Sequence, residues 1–131
     1  MQFLDTIQID PGATRAQGRL FVDPEWELLQ DHFPGSPVLP GLLMLQAAVG
    51  TGAAIMGGRA DAAGSAELES LERLQVIRRV SPGETFSVEA TMVERTPDGA
   101  SAHFTAEGRV GGEPAMRARF RLRTLTAWRP A

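Results

Sequence analysis

The chain has 131 residues, 43% of them hydrophobic and 22% charged, with a formal net charge of −3. That length is enough for one domain with its own core, expected to span 1–131, and the acidic balance argues against a nucleic-acid binder that works through global charge. No cysteine is present, which excludes disulfides and thiolate metal sites, and the two histidines, His32 and His103, are too few and too far apart to suggest a metal site.

All thirteen basic residues are arginine, which with the high alanine content reads as a compositional bias. The opening MQFLDTIQID has neither a basic n-region nor an apolar h-region, so no signal peptide is expected and the protein is read as cytoplasmic. Residues 38–56 approach the length of a membrane span. Pro40, Gln46 and the glycines at 41, 50 and 52 argue instead for a buried core helix and no span.

In chain order, residues 3–9 read as a short strand. Asp10-Pro11-Gly12 is a turn, since proline fixes φ and glycine tolerates positive φ. Residues 13–22 set Arg15, Gln17 and Arg19 against Ala16, Gly18 and Leu20, the pattern of a strand forming a hairpin with the first. Asp23 can cap a short helix over 25–29, with Pro24 at its first position. Phe33-Pro34-Gly35-Ser36-Pro37 excludes regular structure. Pro40 suits a helix start, and the helix is expected to run to about Met56 and to stop at Gly57-Gly58. Apolar or small residues on every face predict that it is buried, Gln46 included. The Gly50/Gly52 pair is expected to allow close helix–sheet packing.

Residues 60–65 read as a flexible loop. Residues 66–80 contain a strand over about 70–80, with a helical turn at 67–73 as the alternative. Turns at 81–84, 96–99 and 111–112 separate three further strands, 85–94, 101–110 and 115–125, each alternating apolar with polar. In the last, Met116, Ala118, Phe120 and Leu122 alternate with Arg117, Arg119, Arg121 and Arg123. The arginines are expected to cover a solvent face, and His103 to sit on a solvated face with Ser101 and Thr105. The sum is a strand pair, one long helix, and four strands in a meander. A helix that is apolar all round needs a sheet wrapped around it, so the fold class is α+β, with a curved antiparallel sheet of five to six strands.

His32-Phe33-Pro34-Gly35, then Pro37, Pro40-Gly41 and the apolar helix, resemble the FabZ/FabA family of 3-hydroxyacyl-acyl-carrier-protein dehydratases, which have the hotdog fold. The family pattern is HFPG-x-P-x-x-PG, followed by a helix with an acidic residue five positions after the last glycine. This sequence matches through Gly41 and then places Gln46 where the acid should be. Residues 71–84, ending in RRVSPGE, also look like the family's second strand block. The resemblance implies dehydration of 3-hydroxyacyl thioesters on acyl carrier protein or CoA, without cofactor or metal. It further implies a homodimer with active sites at its interface; a higher oligomer stays open and does not follow from the resemblance.

The chemistry of the motif stands beside the resemblance. Removing a C2 proton needs a base that titrates near neutrality, and His32 suits that role. Charge developing on the thioester oxygen can be met by a helix N-terminus, where Gly41 lets an acyl chain approach its N–H. Phe33, Val38 and Pro40 join Gly41 in the oxyanion and substrate-binding part of the site. Expelling the hydroxyl needs a proton, which the amide of Gln46 cannot supply at neutral pH. Three outcomes stay open: His32 shuttles one proton while Gln46 orients substrate, another acid such as Asp31 or Glu27 takes over, or the protein is an acyl-thioester or carrier-protein binding module without efficient dehydration. Thioester hydrolysis is weaker, because no carboxylate is placed to activate water. Arg78 and Arg79 are the expected docking residues for an acidic carrier, with the arginines of 117–123 as the alternative.

Overall fold

The computed structural model describes residues 4–26 and 39–125. Strands β1 (Thr6–Ile9) and β2 (Arg15–Phe21) form the N-terminal hairpin, and helix α1 spans Gly41–Gly57. Four strands follow: β3 (Ala66–Val76), β4 (Thr85–Arg95), β5 (Ser101–Val110) and β6 (Glu113–Thr124). All six strands join one antiparallel sheet in the order β1-β2-β4-β5-β6-β3.

The alternation predicted for β2, β4, β5 and β6 sorts their side chains as expected. Leu20, Phe86, Val88, Phe104, Phe120 and Leu122 are fully buried on one face, and the arginines and glutamates stand on the other. Helix α1 lies on the apolar face. Alanines meet there from both sides: Ala47, Ala48, Ala53 and Ala54 on the helix, and Ala16, Ala90, Ala102 and Ala118 on the strands. A Cβ at Gly52 would come within 3.1 Å of Leu122 Cδ1 and 3.3 Å of Phe104 Cδ2, so this glycine sets how closely the helix seats. Beneath it the Phe104 and Phe120 rings stack at 5.7 Å, an arrangement that adds about 0.5–1.5 kcal/mol to their burial. The helix ends at Gly58, whose φ of 74° is left-handed and whose N–H is bonded to the helix's last turn.

Several expectations are corrected. The last four strands are not a meander, because β3 pairs with β6 at the far edge and β4 pairs with β2. An isolated two-stranded hairpin is marginal in water, and the pairing of β2 with β4 joins the N-terminal hairpin to the other strands in a single sheet. Strand β3 occupies 66–76 rather than 70–80, which removes the helical-turn alternative, and it is broken by register shifts at Leu68/Ser70 and Leu71/Arg73. Residues 60–65 are packed rather than loose: Ala62 and Ser65 are buried, and Ser65 Oγ donates to the Ala53 carbonyl at 2.9 Å. Of the short helix expected at 25–29, the described part is a turn in which Asp23 accepts from the Glu25 and Trp26 N–H groups. Its remainder lies outside the described residues.

His103 is half-buried rather than simply solvated. Its Nε2 lies 2.5 Å from Glu72 Oε1 and 3.2 Å from Arg121 Nη2, so it links β5, β6 and β3. The arginines of β6 do cover the outer face, where Arg121 pairs with Glu69 and Arg123 with Glu67.

The Phe104 ring carries this packing. Phe104→Ala is expected to lower unfolding stability by about 3–5 kcal/mol in urea titration. Thr105→Ala, one residue along on the exposed face, should stay within about 0.5 kcal/mol.

Candidate active site at the start of the long helix

Pro40 precedes α1 with φ −60° and ψ 143°, and its carbonyl accepts from the N–H groups of Leu43 (3.0 Å) and Met44 (3.3 Å). Among the described residues no side chain caps the helix, and its first turn holds no acid. The N–H groups of Gly41 and Leu42 therefore lie at the positive end of the helix dipole. Leu39 N–H donates to the Val80 carbonyl at 2.8 Å, which ties the approach to the helix onto the segment after β3. A Cβ at Gly41 would lie 3.1 Å from Val76 Cγ2. The helix start thus rests against the end of β3, in a contact that a side chain at 41 would crowd.

Gln46 is exposed, which corrects the expectation of a buried amide. It shares a stripe with Leu42, 73% exposed, and with the half-buried Val49 and Gly50. This is the one side of α1 that the sheet leaves uncovered. Leu42, one turn before Gln46, marks the stripe in the sequence, but a helix with so little polar content gives no way to tell its outer side from its inner ones. Among the described residues, the helix carries no carboxylate.

His32, Phe33 and Val38 lie outside the described residues, as do Asp31 and Glu27. The structure therefore brings together Pro40, Gly41 and, one turn on, Gln46. Arg78 is half-buried and held by Glu84 at 3.1 Å and Glu113 at 3.8 Å. Arg79 is exposed and makes no ion pair among the described residues. It sits next to Val80, the residue that anchors Leu39.

Strand β3 forms one edge of the described sheet and exposes Leu68, Leu71 and Val76, with Ile77 beyond its end. No helix among the described residues is long and apolar enough to cross a membrane. No cluster of three or more potential metal ligands occurs among them.

Comparison with known proteins gives a consistent family. A family profile described as ApeI-like, ApeI dehydratase, matches residues 8–113. The curated 3-hydroxyacyl-[acyl-carrier-protein] dehydratase FabZ of Ruegeria sp. (strain TM1040) is 30% identical over 94 residues, covering 70% of this chain and 59% of that protein. The protein of the same name from Chloroflexus aggregans is 33% identical over 87 residues, covering 66% and 60%. The chain thus spans about three-fifths of the length of these relatives.

Among solved structures, the dehydratase heterocomplex ApeI:P from Xenorhabdus doucetiae aligns with a TM-score of 0.67 at 18% identity, over 94% of this chain and 99% of that one. An uncharacterised protein, PH1136 from Pyrococcus horikoshii, aligns at 0.69 and 13% identity, over 94% and 83%. These two support the fold alone. With the profile covering most of the chain, the sheet wrapped on one helix and the HFPG-x-P-x-x-PG motif entering that helix, the protein belongs to the ApeI-like dehydratases, hotdog-fold relatives of FabZ and FabA.

Proposed function

We propose that this protein reversibly dehydrates 3-hydroxyacyl thioesters, with the (3R) configuration, carried on acyl carrier protein or CoA. The observation that carries the reading is the start of α1, where no described side chain caps the helix and Gly41 lies beside the end of β3. The thioester oxygen accepts from the Gly41 N–H. His32 takes the C2 proton, and charge moves onto that oxygen. As the C2=C3 double bond forms, the C3–O bond breaks, and the hydroxyl leaves as water with one proton. His32 returns the proton it took, while Gln46 orients the hydroxyl. A backbone donor aimed at a developing oxyanion contributes about 10²–10³ in rate, and lacking a dedicated acid costs about 10²–10⁴.

The site is completed by a second copy. Among the described residues no strand pairs with the outer edge of β3, which exposes Leu68, Leu71 and Val76, an edge that soluble proteins normally cover. A partner strand paired there would also approach Val76 and the start of α1, and with it the Leu42–Gln46 stripe. Arg79 is the better of the two docking residues for an acidic carrier, since Arg78 already serves Glu84 and Glu113.

A second reading is favoured by the helix that lacks a carboxylate, together with the unlike chains of the ApeI:P heterocomplex. In it, the partner across β3 is a different hotdog chain that supplies the acid, and this chain alone binds acyl thioesters with little turnover.

Assay of the purified protein on 3-hydroxyacyl carrier and CoA substrates, following enoyl formation, separates these readings. The first expects turnover by the protein alone, abolished by His32→Ala, with a single limiting ionisation near the histidine pKa of ~6.5. Gln46→Glu should then change the profile to two opposed ionisations. No turnover by the wild type, with a gain of about 10²-fold or more on Gln46→Glu, favours the second. The interface is tested separately: Leu71→Lys with Val76→Lys should convert a dimer to a monomer in sedimentation and abolish turnover with it. A dimer that survives both substitutions would place the interface elsewhere.

A further inference from the structure

The outer face of the sheet is largely a lattice of paired charges. Arg15 approaches Glu89, Glu107 is shared by Arg109 and Arg117, Arg121 meets Glu69, and Arg123 meets Glu67. Arg73 and Arg119 are different. They stand directly opposite one another on β3 and β6, a placement that brings the Cβ atoms of cross-strand neighbours to about 4.5–5.5 Å. Neither has a carboxylate partner among the described residues. Arg73 donates only to Gln75 Oε1, at 3.2 Å. Arg19, also without a carboxylate, stands singly at the other side of the face, opposite Ser87.

Two like charges set opposite each other cost stability unless something lies between them. The register explains why no carboxylate does. The row that crosses the sheet at Arg73 runs through Arg119, Thr105 and Thr91 to Arg15, so the neighbours in that row are hydroxyls and cations. Arg73, Arg119, Thr105 and Thr91 border a cavity of about 320 Å³ on this face, together with Arg117, Glu89 and Glu107. Those two carboxylates are already engaged by Arg15, Arg109 and Arg117. The uncompensated charge in the basin is therefore that of Arg73 and Arg119, beside the Thr105 hydroxyl.

We infer that this basin is an anion site for a phosphate group, held between the Arg73 and Arg119 guanidiniums with the Thr105 hydroxyl as a further donor. Guanidinium forks match phosphate oxygens two at a time, and a dianion between two cations turns their repulsion into attraction. The site lies on the face of the sheet opposite the helix, so it is separate from the start of α1 and does not rest on the proposed reaction. The group is either free phosphate or the phosphate monoester of a larger molecule.

Thermal melts test the assignment at constant ionic strength, with inorganic phosphate or glycerol 3-phosphate replacing chloride. Low millimolar concentrations keep the anions below the range in which phosphate acts by exclusion from the surface. The expected result is a Tm that rises with the logarithm of anion concentration in the wild type. Arg73→Gln with Arg119→Gln should remove that rise, while Arg123→Gln retains it. In chloride, the double variant should melt at or above the wild-type temperature, because a like-charge pair has been removed. A larger response to glycerol 3-phosphate assigns the basin to an ester, and an equal or larger response to inorganic phosphate assigns it to the free ion. An equal rise in wild type and double variant, no rise in either, or loss of the rise in Arg123→Gln would overturn the site.

Discussion

The close seating of α1 on the concave face of the sheet is the constraint on which the rest of the structure depends. The helix has almost no polar side chains, so it can exist in water only if the sheet covers it. The sheet can reach it only because small residues face each other across the contact, with Gly52 set against Leu122 and Phe104. Large aromatic rings fill the layer below. A helix buried in this way still has ends, and the sheet cannot wrap them. Its C-terminus closes on Gly58. Its N-terminus begins at Gly41 beside the end of β3, with no capping side chain among the described residues.

That arrangement divides the molecule by chemistry. The inner face is apolar, and the β3 edge mixes exposed Leu68, Leu71 and Val76 with charged residues. The outer face is ionic, with arginines and glutamates answering each other along neighbouring strands. Surface pairs of this kind contribute little individually, so their main effect is on what can approach each side. Near the helix start, the described charges are Arg79 and Arg78, the latter paired with Glu84 and Glu113. An oxyanion forming there would meet backbone donors that need no rearrangement, the condition under which such donors act most strongly.

Much of this is legible in the residues. Period-two alternation places the inward side chains of β2, β4, β5 and β6, because a strand beside a helix has one wet face and one dry one. Pro40 and Gly58 mark the helix ends through their backbone preferences. Other features depend on which distant segments meet, and local patterns do not carry that information. Strand β3 pairs with β6, far along the chain, and its two bulges shift which residues share a face. The partnership of His103 with Glu72 and the facing of Arg73 with Arg119 follow from that register. Gln46 illustrates a different obstacle. Its chemical importance follows from the motif, but the outward direction of its side chain depends on a helix whose composition offers no polar face to orient by. The histidine of the motif is legible only as sequence, since residues 27–38 lie outside the described structure.

The central claim is that the Gly41 N–H at the start of α1 receives the thioester oxygen. A crystal structure of the protein with a stable amide analogue of a 3-hydroxyacyl pantetheine thioester tests it most directly. The account predicts the analogue's carbonyl oxygen about 2.7–3.1 Å from the Gly41 nitrogen, with its acyl chain running along the Leu42–Gln46 side of the helix. A carbonyl bound away from the helix start, with the Gly41 N–H facing solvent or protein, would contradict it.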